Sequence, residues 1–329
     1  MKKILCFCLS FAVLVSLCAC GAPDAEGTVP TTVPTETESA PVPSAGETEE
    51  VLSYSELRFT EFLFSSGAGA WGTLLYINED GSFSGNYHDS EMGDNAEEYP
   101  MGTVYHCGFS GQFGTPVRLD DHSWSLPIRV LQYDRVPDSQ EIRDGIRWFY
   151  TTAFGLEQTT SITLFEPGTP LELLPVEYRQ WVGLHTEEGE LPFWGLYNEP
   201  QQQGFSGTDL LSYLWEALAA AEAEEAAVEQ RMQTLVEQSD LNFAAQQRYN
   251  CWDNLLNQTW GVLKRALPEE KMDQLTALQL EWIESRDLAA EEAAGAYEGG
   301  SLESMVFSTT AADWTKERVY YLMQYLPAE

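Results

Sequence analysis

The sequence predicts an α+β multidomain protein, with a β-rich N-terminal domain followed by a C-terminal antiparallel helical bundle. Between about 51 and 205, short apolar runs alternate with polar residues and are separated by Gly, Asp and Asn. From about 206 to 329 the apolar residues recur at helical spacing, interrupted at Ser239, Pro268 and Gly299-Gly300. A chain of 329 residues that is 43% apolar and 12% aromatic has material for two modest cores.

The first residues predict export. Lys2 and Lys3 precede an apolar run from Ile4 to Leu17, which ends in the small-residue stretch Leu17-Cys18-Ala19-Cys20. The run is shorter than the ~20 residues a membrane span needs. Leu-Cys-Ala-Cys-Gly resembles the bacterial lipobox, which implies that residues 1–19 are a signal peptide and that Cys20 carries the lipid. The expected location is then the extracytoplasmic face of the bacterial cell membrane. Residues 20–50 are rich in Pro, Thr and Glu and lack any base or aromatic residue, so they cannot bury a core. They are expected to form a disordered, semi-extended tether, up to about 90 Å long by the polyproline rise. Only Cys107 and Cys251 then remain for the folded part. They are expected to be two separate buried thiols, with an interdomain bridge as the alternative.

In the β-rich region Trp71–Ile77 and Ser82–His88 flank Asp80-Gly81 and read as a hairpin. Further strands are expected at 103–109, 123–131, 161–165 and 193–197. Short helices are expected at Ser139–Tyr150 and Leu171–Trp181. Gly69-Ala70-Trp71, with Asp80-Gly81 and Gly85-Asn86-Tyr87 behind it, resembles the opening of lipocalin-like and avidin-like barrels. That resemblance implies a Trp closing one barrel end and, in such barrels, small ligands in the mouth. The aromatic residues are expected to fill a β core, with a small-molecule or glycan pocket as the alternative. The acids Asp89, Glu91, Asp94, Glu97 and Glu98 lack the spacing of a calcium loop and read as a solvated loop.

Four helices are expected at about 208–238, 240–267, 269–298 and 302–326, joined by short breaks. The acidic run EALAAAEAEEAAVEQ in the first reads largely as a solvated face. The second places Leu241, Ala245, Trp252, Leu256, Leu263 and Leu267 inward, and the fourth Ala312, Thr315, Val319, Leu322 and Leu326. In the third, Leu275, Leu278, Trp282, Ala289 and Ala293 share a stripe with Gln279 and Arg286. A desolvated guanidinium needs a carboxylate, and Asp253 is the best placed. Trp282, one turn before, can add a cation–π contact.

SDLNFAAQQRYNCWDNLLNQTWGVLKRAL, LTALQLEWIESRD, EGGSLESM and DWTKERVYYLMQYL together resemble the bacterial lysozyme inhibitor LprI-like N-terminal domain family, over about 239–326. The family's D-x-x-LN falls on Asp253, Leu256 and Asn257, and its Q-x-x-W-[IL]-x-x-R-D on Gln279, Trp282, Ile283, Arg286 and Asp287. Its GGS turn falls on Gly299, Gly300 and Ser301, and its T-x-x-R-x-x-x-L on Thr315, Arg318 and Leu322. The cysteine pair common in the family is missing, since Ala289 and Ala290 follow the R-D pair. The resemblance implies a helical envelope domain whose signature residues are internal scaffolding. If lysozyme is bound, Gly299-Gly300-Ser301 and the acidic faces are the expected contacts.

Charge and motifs narrow the function further. A net charge of −35 excludes nucleic acid as a natural partner and favours encounter with cationic proteins. There is no GxSxG, HExxH or phosphate-cradling loop, and His88, His106, His122 and His185 lack ligand spacing, so neither an enzyme nor a cofactor or metal site is expected. The reading is a lipid-anchored surface protein that binds, and through the family resemblance inhibits, a cationic muramidase. The alternative is an envelope ligand-binding module centred on the β domain.

Overall fold

The computed structural model describes residues 51–67 and 69–327. The expected signal peptide, Cys20 and the tether lie outside the described residues. The described residues form eleven strands: β1 (Thr60–Ser65), β2 (Trp71–Ile77), β3 (Ser82–Glu91), β4 (Thr103–Phe113), β5 (Val117–Asp120), β6 (Ser123–Tyr133), β7 (Gln140–Arg143), β8 (Ile146–Tyr150), β9 (Ser161–Phe165), β10 (Gly195–Asn198) and β11 (Gln203–Asp209). Eight of them, β1-β2-β3-β4-β6-β9-β10-β11, pair antiparallel in chain order, and β11 returns to β1 to close an up-and-down barrel. Closure leaves these strands no free edge between first and last. β5 continues along β6, while β8 runs parallel to β4 and carries β7 at its outer edge.

Alternation places one face of each barrel strand inside. Phe62 and Phe64 of β1, Leu75 of β2, Leu126 of β6, Ile162 and Leu164 of β9, Leu196 of β10 and Phe205 of β11 form one core with no exposed surface. At one end Phe64 is ringed by Trp71 at 5.0 Å, Phe154 at 5.2 Å, Trp181 at 4.9 Å and Phe205 at 5.3 Å. Gly155 makes this closure possible: its φ is +100°, and a Cβ there would lie 2.5 Å from Phe205. Trp71 thus belongs to an aromatic plug.

Several expectations need correction. Residues 139–150 form the hairpin β7–β8 instead of a helix. Asp144 and Gly145 both take positive φ (54° and 75°), as a two-residue hairpin turn requires, and this overrides the helical periodicity of the flanks. Leu171–Trp181 breaks at Leu174-Pro175 into a 3₁₀ turn (Leu171–Leu173) and the short helix α1 (Val176–Trp181). The acidic loop is not simply solvated, because Arg147 of β8 pairs with Asp94 and its Nη1 donates to Tyr99. β11 runs past position 205 to Asp209, whose carboxylate then caps the first long helix through Leu211 N at 2.9 Å.

Cys107 and Cys251 are both free thiols. Cys107 lies in the barrel core, and burial pushes its pKa up to about 12. It is therefore expected to resist alkylation at neutral pH until the protein unfolds, while the half-buried Cys251 labels first. Mass spectrometry of iodoacetamide-treated protein, with and without denaturant, reads this directly. Labelling of Cys107 at the same rate as Cys251 in the native protein would contradict it.

Four long helices follow: α2 (Leu210–Met232), α3 (Gln238–Ala266), α4 (Glu269–Gly295) and α5 (Glu303–Met323). Short breaks make successive helices antiparallel, so α3 and α5 run parallel. These two form the close central pair, with α2 packed on α3 and α4 on α5. α3 spans 29 residues, about 43 Å at the helical rise. Its C-terminus meets the barrel, where Arg58 donates to the Ala266 carbonyl and the Leu210 amide donates to the Phe59 carbonyl at 2.8 Å. The α2–α3 and α4–α5 turns therefore sit at the opposite, barrel-distal tip.

Candidate functional site

The barrel-distal tip and the polar interior behind it contain nearly all the residues singled out in the sequence. The stripe of Ala312, Thr315, Val319 and Leu322 in α5, with Leu326 just past its end, is buried as expected. In α4 the buried stripe is Leu275, Gln279, Arg286, Ala290 and Ala294. Leu278 of the expected stripe points outward and is 48% exposed. The helix is thus rotated so that its two polar residues, not Leu278, face the interior.

That rotation is explained by the contacts the polar groups make. Arg286 Nη1 lies 3.3 Å from Asp253 Oδ1 on α3, and its Nη2 2.9 Å from Asp287 Oδ1. Its guanidinium also stands 5.2 Å from the Trp282 ring and 5.6 Å from Tyr249. Asn257, one turn after Asp253, donates to the Asp253 carbonyl at 2.9 Å and to its carboxylate at 3.3 Å. Gln279 accepts from Arg318 Nε at 2.8 Å, and Arg318 lies 5.4 Å from the same Trp282 ring. Thr315 returns its hydroxyl to the Ala311 carbonyl at 2.7 Å, and Leu256 lies in the apolar core. Asp253, Asn257, Gln279, Trp282, Arg286, Asp287 and Arg318 therefore knit α4 to both α3 and α5. Helix packing and these polar contacts take the place of a disulfide.

A second polar cluster escaped the sequence reading. Glu225 of α2, only 5% exposed, accepts from Arg248 Nε at 2.7 Å and from Lys316 Nζ; Arg248 Nη2 also reaches Asp313 at 2.6 Å. Burial would raise the Glu225 pKa, but the hydrogen bonds from Lys316 and Arg248 prevail and hold it below the usual carboxylate range. The acidic run around Glu225 is mostly exposed, and nothing in its composition distinguishes the one inward glutamate. A lysine and an arginine on inward faces of other helices, Arg248 and Lys316, were the available signal.

At the tip, Gly299 takes a φ of +73° and its amide donates to Glu303 Oε2 at 2.8 Å. Asn242 at the start of α3 donates to the Ser301 carbonyl at 3.0 Å. Gly299, Gly300 and Ser301 are all exposed. Gly300 and Ser301 help line a groove of about 640 Å³ between α3, α4 and α5, with Glu291, Glu298, Glu303 and Phe307 on its walls. Exposed apolar residues accompany the acids at this end: Val236 in the α2–α3 turn, Phe243 on α3 and Tyr297 in the α4–α5 turn. The sequence pattern marks the GGS turn but not these three. Among the described residues no set of three or more His, Cys, Asp or Glu side chains is placed to hold a metal ion.

The described chain is thus an eight-stranded β-barrel carrying an acidic helical bundle whose apolar core is flanked by two buried ion-pair clusters. Residues 229–322, in the C-terminal part of the chain, match the family model described as lysozyme inhibitor LprI. The match begins just after Glu225, so most of α2, including its share of the interior network, lies outside it. No curated protein and no solved structure matches the chain.

Proposed function

We propose that the protein is a lipid-anchored surface protein of the bacterial envelope whose helical domain binds and inhibits a cationic muramidase through its barrel-distal tip. The observation that carries this reading is the LprI match over 229–322, a region that includes the acidic groove and the GGS turn. Three chemical features support it. The net charge of −35 draws a basic enzyme to the surface and speeds encounter. Glu291, Glu298 and Glu303 offer acceptors for arginine and lysine side chains at the tip. Val236, Phe243 and Tyr297 supply the apolar anchors that long-range charge alone does not provide. The protein acts as a binding protein without catalysis. The lipobox-like Cys20 and its tether would hold it at the extracytoplasmic face of the membrane.

The test is a pair of charge reversals matched for net charge. Glu291→Lys with Glu298→Lys is expected to weaken lysozyme binding at least about tenfold, or ~1.4 kcal/mol. Glu281→Lys with Glu284→Lys, on α4 but away from the groove, is expected to change it by less than about threefold. Isothermal titration at physiological salt measures both. Equal weakening by the two pairs would mean that overall charge, and not the tip, governs binding.

A further inference from the structure

A second pocket opens on the flank of the bundle between α4 and α5, lined by Trp282, Trp314, Glu317, Arg318 and Tyr321, with a volume of about 290 Å³. This is close to the lower end, about 300 Å³, of the range in which small-molecule sites fall. Its chemistry differs from that of the tip: three aromatic rings, one guanidinium and one carboxylate, with no concentration of acid. The Arg318 guanidinium lies 5.4 Å from the Trp282 ring and 4.8 Å from the Tyr321 ring. Its Nε is taken by Gln279, but its Nη2 is shut off from solvent and has no hydrogen-bond partner. An orphaned donor of this kind is costly in a folded protein.

The pocket walls narrow the ligand. A cation is disfavoured because Arg318 already occupies the faces of Trp282 and Tyr321 that would bind one. A simple anion meets Glu317 beside the arginine, in a strongly negative chain. A purely apolar molecule would leave both charged groups unsatisfied. A sugar ring suits all the walls: its C–H face lies on an aromatic surface, and its hydroxyl groups both donate and accept. We propose that this pocket is a glycan-binding subsite that holds one sugar residue of a polysaccharide chain. Trp314 provides the stacking surface, Glu317 accepts from a hydroxyl, and Arg318 donates to a ring, hydroxyl or acetamido oxygen. The site is separate from the muramidase-binding tip and does not depend on that reading.

The test uses the whole chain in detergent, sedimented with insoluble chitin and with purified peptidoglycan, and titrated calorimetrically with a soluble N-acetylglucosamine hexamer. Saturable binding to at least one of these is expected. Trp314→Ala and the exposed Glu317→Ala are each expected to weaken it at least about tenfold, with lysozyme affinity unchanged and the Glu317→Ala melting point within ~2 °C of native. Failure of the native chain to bind any of the three probes, or native-strength glycan binding by either variant, would overturn the proposal.

Discussion

Glu225→Ala is expected to destabilise the helical domain by about 3 kcal/mol or more, a loss typical of breaking a buried charge pair from one side. The substitution removes the acceptor shared by Arg248 and Lys316 and leaves Arg248, 8% exposed, with only the more exposed Asp313 as a charge partner. Urea unfolding followed by circular dichroism gives the change as a lower midpoint at an unchanged slope. Replacing Glu225 and Arg248 together by Met is expected to cost less than Glu225→Ala alone, because no buried charge is then left behind. The same network sets an acid limb. The folded-state pKa of Glu225 lies below its ordinary value of 4.5, so its stabilising contribution is complete above that value and is lost as the pH falls through the folded pKa. The gap between native protein and Glu225→Ala should therefore narrow below about pH 4.5 and stay constant between pH 6 and 8. A variant as stable as the native protein at neutral pH would mean that the cluster contributes nothing.

Trp252→Ala is expected to have an effect of similar size, about 3–5 kcal/mol, through a cavity at the centre of the bundle. Trp252 has no exposed surface; its ring lies 5.9 Å from that of Tyr320 and 5.2 Å from the Lys316 ammonium. It joins the α2, α3 and α5 residues of one apolar cluster. Its indole Nε1 is buried and donates to nothing, which adds a cost that the native fold carries. Trp252→Phe removes that unsatisfied donor while keeping a ring in place, so it is expected to cost less than about 1.5 kcal/mol. Thermal unfolding of the two variants separates volume from polarity. If Trp252→Phe were as damaging as Trp252→Ala, the indole N–H would have to contribute a bond that the packing does not contain.

The parts of the fold legible in the sequence are those where local pattern and tertiary burial agree. α5 is the clearest case: Ala312, Thr315, Val319 and Leu322 repeat at helical spacing and all face the core. The β2–β3 hairpin was equally clear, because the turn needs a residue in the left-handed region and Gly81 supplies it with a φ of +78°. β1 and β11 went unnoticed, although they close the barrel. Gln203–Asp209 contains two glycines and a single large apolar residue, Phe205, so its burial comes from neighbours distant in sequence. α4 was legible as a helix, and so were its inward Gln279 and Arg286 and the Asp253 partner, because a guanidinium in the stripe demands a carboxylate. Periodicity also places Leu278 in that stripe, whereas Asp253 and Arg318 on other helices draw the polar pair inward and leave Leu278 outside. The same limit hid Glu225, whose burial follows from cations on α3 and α5.

The candidate sites divide along the same line. The signature residues could be read from spacing, and so could the GGS turn, whose glycines permit the exposed reversal between α4 and α5. Phe243, Val236 and Tyr297 could not, because an isolated apolar residue in a polar turn has no periodic context to show whether it is buried or exposed. Proximity of the two turns at one end, produced by the up-down-up-down course of the chain, is what makes them a surface.

The central claim, that the acidic helical domain recognises muramidases specifically, is tested most directly by titrating the whole chain with lysozyme and with a second protein of equal size and basicity at physiological salt. The account expects saturable one-to-one binding of lysozyme, with loss of its muramidase activity at the same stoichiometry, and at least about hundredfold weaker binding of the control. Equal affinity for the two basic proteins, or no binding of lysozyme, would contradict it.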